Sequence, residues 1–305
     1  MLIDPNSLGA TLYLPATRDD LTGAILSHRH HDLRSVVICL EDAVAAADVP
    51  IALLKLEGFL ARLSETAQDA PRPHIFVRPR DHNMLGHILN FAEIDRVDGF
   101  VIPKATAQSM PDYLSVLAND HHLLMPTLET REVFDPHEMR RLREQLIAVH
   151  ERILVIRIGG NDLLQTIGAR RSAVRTAYDG PLGAVIANLV TLFAPWGFAL
   201  SAPVFEGFGN PELLAEEVER DIEHGLLTKT AIHPAQIAVI HAAYEVNGAD
   251  LADAHMILSR ESRAIFASQQ TMCEPATHKA WAESIVNRAA IFGSRSTLRA
   301  APQLA

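Results

Sequence analysis

The feature that most constrains this chain is a rhythm. Short apolar runs rich in β-branched residues recur along it, separated by segments with helical signals. The runs are Ala10–Ala16, Ser35–Leu40, Ile75–Arg78, Gly99–Pro103, Leu123–Leu128, Ile153–Ile158, Ala199–Phe205 and Leu227–Ile232, eight in all. Strands that alternate with helices imply parallel βαβ units, because a parallel neighbour is reached only by a crossover. Eight such units point to a closed (β/α)8 barrel rather than an open sheet.

The intervening segments support this. Asp19–Arg29 reads as a short helix, and Val49–Glu65 places Ile51, Leu54, Leu56, Phe59, Leu60 and Leu63 at helical spacing. Asp135–His150 begins acidic and carries Met139, Leu142, Leu146 and Val149. Pro211–His224 opens with proline at a first-turn position, and Gly225 sits where a C-cap is expected. Gln68–Pro73 reads as a surface loop. Beyond the eighth unit, Leu251–Gln270 and His278–Phe292 read as two further helices, and the residues from Ser294 read as a frayed tail. The expected division is therefore 1–247 as barrel, 248–293 as helical extension and 294–305 as tail.

Composition excludes several function classes. The net charge of −10 disfavours nucleic acid and anionic membranes as partners. Two cysteines, Cys39 and Cys273, are too few for a disulfide framework and suit a reducing cytoplasm. No apolar run approaches the roughly 20 residues that cross a bilayer, and no signal peptide is visible at Met1–Pro5. A soluble cytoplasmic protein is expected.

In such a barrel the active site lies at the C-terminal ends of the strands. Glu41 and Asp42 follow the second run. Arg78 ends the third, followed by Arg80 and Asp81, and Lys104 follows the fourth. Glu129 follows the fifth, Gly159-Gly160-Asn161-Asp162 the sixth, Glu206 the seventh and His233 the eighth. Any one of these alone reads as a loop residue or a helix cap, as Asp42 does before Ala43. A charged ring on one mouth is a stronger signal. Glu129 and Asp162 supply hard oxygen ligands suited to Mg²⁺, with Mn²⁺ as a substitute. Arg78 can hold a carboxylate or an enolate oxygen by a bidentate fork. The Gly159-Gly160 pair lets a ligand approach the backbone, and Gly160, Asn161 and Lys104 complete the expected substrate-binding set. The set suits making or breaking a bond beside a carbonyl, with metal and arginine stabilising enolate charge.

These residues carry a resemblance. Val36–Val44, Phe76-Val77-Arg78, Gly99–Lys104, Leu128-Glu129-Thr130, Ile158–Leu163 and Lys229–Ile237 occur in the order and spacing of the HpcH/HpaI aldolase and citrate lyase β-subunit family, which includes malyl-CoA lyases. The resemblance spans roughly the first 240 residues. It implies a Mg²⁺-dependent carbon–carbon lyase on a (β/α)8 barrel, acting on a short hydroxy or keto acid or its CoA thioester by retro-aldol or retro-Claisen cleavage. By position Glu129 and Asp162 match the metal ligands, Arg78 the enolate-stabilising arginine, and Glu41 and Asp42 the acidic pair near the metal's waters. A homo-oligomer, trimer or hexamer, is implied as well. Departures fall around the substrate mouth. Tyr13–Arg18 stands where the family more often has Val-Pro-Gly, Pro79-Arg80 follows Arg78, and Asn161 replaces a residue often acidic. Gly225–Lys229 likewise replaces a Gly-Phe-x-Gly-Lys run. They leave substrate identity and CoA use open.

Alternatives remain at this stage. Lys104 can form a Schiff base, as in metal-free aldolases, and the barrel can be a non-catalytic subunit. His233 reads as a structural helix start rather than a general base. The pairs His30-His31 and His121-His122 read as solvated surface, because adjacent residues do not share a helix face. Arg170-Arg171 with Arg175 can hold a phosphate or CoA, or be a solvated loop. Trp196 and Trp281 read as packing residues. Gly159-Gly160 lacks the dinucleotide fingerprint, and no Walker loop occurs.

Overall fold

The computed structural model describes residues 3–27, 32–67, 71–269 and 271–295. All eight expected strands form: β1 (Ala10–Pro15), β2 (Ser35–Cys39), β3 (His74–Arg78), β4 (Gly99–Ile102), β5 (Leu123–Leu128), β6 (Ile156–Ile158), β7 (Leu200–Ser201) and β8 (Lys229–Ala231). They make one parallel sheet in the order β7-β6-β5-β4-β3-β2-β1-β8. A parallel bridge from Ala202 to Lys229 joins its two edges and closes the barrel. The strands read as continuous apolar runs because both faces are covered; every residue of β2 and β4 is buried.

The last three strands are shorter than their apolar runs. Ile153 makes only an isolated bridge to Leu124 before β6 begins. After β7, Pro203 has no N–H to give a ladder, so the seventh run leaves the sheet there.

Barrel helices are α1 (Leu21–Leu26), α2 (Val49–Ser64), α3 (His82–Ile88), α4 (Met110–Val116), α5 (Pro136–Ile147), α6 (Gly160–Thr166), α7 (Pro181–Phe193) and α8 (Pro211–Glu223), followed by α9 (Ala235–Tyr244). On α2 the buried stripe is Ala52, Leu56, Phe59, Leu60 and Leu63, while Leu54 faces water. Asn210 caps α8, its side chain accepting from Leu213 N–H at 3.1 Å. The helix stops at Gly225, whose φ of +77° needs glycine. Gly225 N–H donates to Ile222 and Leu226 N–H to Asp221, a Schellman closure that turns the chain into β8. A short helical turn, Pro5–Leu8, brings Leu8 into a core cluster with Val37, Phe76, Val101, Met125 and Val155 from five of the strands and their approaches.

The chain divides into two compact units, Met1–Ile240 and His241–Ala305. In the second, β9 (Val246–Asn247) leads into α10 (Gly248–Leu258), then a hairpin of β10 (Phe266–Ser268) and β11 (Thr271–Cys273), then α11 (Pro275–Phe292) and β12 (Ser294–Arg295). Its core joins Val246, Ala254, Ile257, Cys273, Ala282 and Ile285.

Two expectations need correction here. The helix expected over Leu251–Gln270 ends at Leu258, because Ser259–Arg263 offers no apolar stripe, and the chain returns as the β10–β11 hairpin. Ser294 and Arg295, placed in the expected tail, instead pair in parallel with Val246 and Asn247. The rest of that tail, His30-His31, and residues 68–70 of the expected loop lie outside the described residues.

Candidate active site at the barrel mouth

The expected residues converge on one open cavity of about 520 Å³ at the C-terminal ends of the strands. Its lining includes Tyr13, Asp42, Arg78, Thr127, Glu129, Arg157, Gly160, Asn161 and Asp162. Glu41 and Lys104 stand beside it through their contacts with Arg78 and Asp42.

Arg78 is the hub. Its Nη2 lies 2.8 Å from Glu41 Oε2, 2.8 Å from Glu129 Oε1 and 3.3 Å from Asp42 Oδ2. Burial opposes the guanidinium charge, but Glu129 and the other anionic neighbours outweigh it and keep Arg78 protonated. Its Nε is buried without a hydrogen-bond partner, and so is Thr127 Oγ1. Orphaned buried polar atoms are costly, so both favour a site that a polar ligand completes.

Lys104 follows β4 with a φ of +49°, rare for a side chain larger than glycine. That turn aims its backbone N–H at Glu129 Oε1, 2.8 Å away. Its ammonium pairs with Glu41 and lies 3.4 Å from Asp42. Burial works against the charge, but the Glu41 contact prevails and raises its pKa. A Schiff-base lysine needs a free neutral amine, so this geometry speaks against that role.

Glu129 reaches the cluster only because Gly159 stands beside it. A Cβ at position 159 would lie 2.4 Å from Glu129 Cβ and 2.6 Å from Oε2. Asp162 enters from the first turn of α6. Carboxylate oxygens of Asp42, Glu129 and Asp162 all lie within 4.8 Å of one another. Burial pushes the Glu129 carboxyl up to about 7, against the pull of Arg78, with Asp162 and Glu41 adding repulsion. Burial and then the Asp42 charge raise Asp162. Glu41 is raised by burial and then by its side-chain contact with Asp42. Burial also opposes the Asp42 charge, but the contacts with Glu41, Arg78 and Lys104 outweigh it and lower that carboxyl. Three hard oxygen donors grouped this closely, two of them carboxyls that burial and repulsion raise, fit a divalent cation such as Mg²⁺.

Gly160 plays a different part from Gly159: a Cβ there would meet Pro203 and Leu182, so its smallness serves packing while its backbone lines the cavity. Asn161 is exposed on the lining. Glu206 and Phe208 stand at the rim.

Two roles escaped the sequence reading, that of Arg80, known only by its strand-end position, and that of Arg157. Arg80 clamps the loop that carries Glu41 and Asp42: its Nε donates to Leu40 O at 3.0 Å and its Nη2 to Val44 O. Arg157 lies in an apolar run, only 2% exposed, yet lines the cavity. Its charge inside Ile153–Ile158 was the signal that could have found it. The expected arginine trio separates. Arg171 is structural, bound to Val204 O at 2.6 Å and to Glu217. Glu217 and Asp221 in turn hold the fully buried Lys229 at 3.0 and 2.8 Å. Arg170 lines the cavity, and Arg175 lies on the neighbouring loop.

His233 serves the helix start, its Nδ1 accepting from Ala235 N–H at 3.2 Å. Gln236 fastens that turn to the β7 loop by donating to Phe205 O at 2.8 Å. The surface expectation for His121-His122 is corrected at His122. His122 is buried, its ring held by Asp120 at 2.9 Å and Ile94 O at 3.1 Å. Trp196 and Trp281 are 46% and 43% exposed, and Trp196 lies under the Arg143 guanidinium at 3.6 Å.

A family model described as "C-C_Bond_Lyase of the TIM-Barrel fold" matches residues 3–294. The chain belongs to this C–C bond lyase family. Among individual proteins, a (3S)-malyl-CoA thioesterase of Cereibacter sphaeroides is 27% identical over 248 residues, covering 79% of each chain. The crystal structure of CitE from Mycobacterium tuberculosis, in complex with magnesium, acetoacetate and coenzyme A, superposes with a TM-score of 0.69 at 23% identity, over 93% of this chain and 99% of that one. RipC from Yersinia pestis gives 0.63 at 20% identity, over 81% and 100%. At these identities the two structures support the barrel fold. The family membership makes the strand-end cluster the place where family chemistry is to be sought. Among the described residues, no helix is long and apolar enough to cross a membrane.

Proposed function

We propose that the chain is a Mg²⁺-dependent carbon–carbon lyase acting on a short hydroxy acid or its CoA thioester. The observation that carries the reading is the grouping of Asp42, Glu129 and Asp162 within 4.8 Å beside Arg78. Glu129 and Asp162 would hold the cation, with Asp42 as a third donor. When bound, Mg²⁺ supplies Lewis-acid stabilisation of negative charge on substrate oxygen.

The remaining chemistry belongs to the chain. In the cleavage direction a β-hydroxyl loses its proton and becomes a carbonyl. The Cα–Cβ electron pair moves to the carbonyl side as an enolate, which is then protonated at Cα. Arg78 is fixed by Glu41 and Glu129, and its orphaned Nε leaves one donor for that developing oxygen charge. Glu41 keeps Lys104 charged and in place, and Arg80 holds the loop that carries Glu41 and Asp42. Arg170 at the mouth is placed to meet an anionic tail such as that of CoA. CitE, whose structure holds magnesium and coenzyme A, supports this reading. The proposal also carries a cytoplasmic homo-oligomer, trimer or hexamer, with a barrel ending near residue 247.

A second reading has specific support. The curated relative is named a thioesterase, and a lyase site that also admits water would hydrolyse the thioester.

Calorimetric titration of Mg²⁺ tests the metal site. Wild type should bind, and Glu129→Gln and Asp162→Asn should each weaken binding by at least about tenfold. Unchanged affinity in both variants would overturn the assignment.

A further inference from the structure

The face of the barrel opposite the mouth holds a second group of metal-ligating side chains, which the proposed reaction does not use. Asp95 lies in the short helical turn Ile94–Arg96 that leads toward β4, and His121 and His122 lead directly into β5. β4 and β5 are neighbours in the sheet, so the two approaches meet at their N-terminal ends. One ligand atom from each of Asp95, His121 and His122 lies within 4.8 Å of the other two.

His122 is the fixed member. It is 2% exposed, and the Phe100 ring stands edge-on to it with 4.9 Å between centroids. Both carboxylate oxygens of Asp120 lie 2.9 Å from Nδ1, and Ile94 O lies 3.1 Å from Nε2. The carboxylate is held in turn by the His122 backbone N–H at 2.8 Å and by Arg152 Nη2 at 3.4 Å. Carboxylate and carbonyl oxygens are both acceptors, whereas a neutral imidazole has a single N–H. With the proton at Nδ1, facing the carboxylate, Nε2 turns its lone pair toward the oxygen of Ile94. A cation beside Nε2 removes that mismatch. A carboxylate at one ring nitrogen and a metal at the other is also the arrangement that orients a histidine ligand and raises its basicity.

A second proton at Nε2 would satisfy the ring as well, but it would not account for the other two residues. Asp95 and His121 are exposed, and among the described residues neither side chain makes a hydrogen bond or an ion pair. His121 only stacks on His122, with 4.7 Å between ring centroids. Two imidazoles and one carboxylate are a donor set for Zn²⁺ and its transition-metal neighbours, whereas the all-carboxylate set of the mouth suits Mg²⁺. Neighbouring ligands of a tetrahedral Zn²⁺ stand roughly 3.4 Å apart. The two exposed side chains therefore close on the ion while His122 stays in place.

We propose that Asp95, His121 and His122 form a second metal site, for Zn²⁺ or a similar transition-metal ion, with water completing the coordination. The ion clips the approach of β4 to that of β5. This end of a barrel serves stability rather than catalysis, so the site is structural. It shares no residue with the mouth and stands independently of the lyase reading.

Zn²⁺ calorimetry on the Mg²⁺-saturated protein tests the site. Wild type should bind Zn²⁺, and His121→Ala and Asp95→Asn should each weaken that binding at least about tenfold. Asp162→Asn, at the mouth, should leave it unchanged. Zn²⁺ should also raise the melting temperature of wild type by several degrees and that of His121→Ala by under about 1 °C. His122 is buried and its replacement can impair folding, so the two exposed ligands carry the test. No Zn²⁺ binding, an unchanged affinity in either variant, or a site lost in Asp162→Asn and kept in His121→Ala would overturn the proposal. Binding that leaves the melting temperature of wild type unmoved would overturn the clip.

Discussion

Replacing Gly159 with alanine should damage the metal site without replacing a single charged residue. Gly159 has φ −85° and ψ 75°, an inverse γ-turn that alanine adopts without strain. The cost is steric. A new Cβ would lie 2.4 Å from Glu129 Cβ, whereas ordinary contact begins at 3.4 Å, so the two must part by about 3.4 − 2.4 = 1.0 Å. Glu129 Oε1 accepts from Arg78 Nη2 and from Lys104 N–H, each at 2.8 Å. A shift of about 1 Å along either bond lengthens it to about 3.8 Å, beyond hydrogen bonding. Hydrogen bonds to charged groups contribute about 1.5–3 kcal/mol each. Displacements of this size in a preorganised site cost about a hundredfold. Mg²⁺ affinity of Gly159→Ala should therefore fall tenfold to about a hundredfold by calorimetry, with circular dichroism confirming the fold. Gly160→Ala is the matched control: its Cβ meets Pro203 and Leu182 instead of a carboxylate. It should lower the melting temperature and leave Mg²⁺ affinity within about threefold of wild type. A Gly159→Ala protein that binds Mg²⁺ like wild type would refute the claim that Glu129 is held by this contact.

Other perturbations probe the supports. Glu217→Gln leaves Lys229 and Arg171 short of one charge in a fully buried network and should cost about 3–5 kcal/mol in urea unfolding; a loss under about 1 kcal/mol would refute the network's role. Asp98 receives Arg72 at 2.8 Å and Ile75 N–H at 2.7 Å. Burial opposes its charge, but the contacts with His74, Arg72 and Ile75 prevail and lower its carboxyl below the usual value. The stability this supplies is complete above the unfolded pKa and is lost as pH falls through the folded one. Asp98→Asn should therefore cost about 1–3 kcal/mol at neutral pH and progressively less below about pH 4; a pH-independent cost would contradict this. Borohydride with a keto acid should add no mass at Lys104, whose ammonium is already paired; an adduct there would revive the imine reading.

Much of this was legible in the sequence because the signals were local. Eight apolar runs gave the barrel, since a strand buried on both faces needs no partner information to be recognised. Strand-end position gave Glu41, Asp42, Arg78, Lys104, Glu129 and Asp162. What escaped depended on long-range packing. Arg157 looks like an interruption of an apolar strand until β1, β5 and β8 place Tyr13, Met125 and Thr230 around it. Arg80 acts on backbone carbonyls of β2's loop, a contact that leaves no trace in spacing. His122 reads as solvated beside His121, but Asp120 and Ile94 hold its ring in the interior. The helix past Leu258 failed because apolar content there belongs to a hairpin, with Gln269 turning at φ +47°.

The most direct test of the central claim follows the products of one turnover. A β-hydroxyacyl-CoA such as malyl-CoA, incubated with the protein and Mg²⁺, should yield a keto acid and a shorter acyl-CoA in equal amounts. No free thiol should appear, and EDTA should stop the reaction. Free CoA thiol with the hydroxy acid intact would show thioester hydrolysis instead and contradict the lyase account, as would full turnover in EDTA.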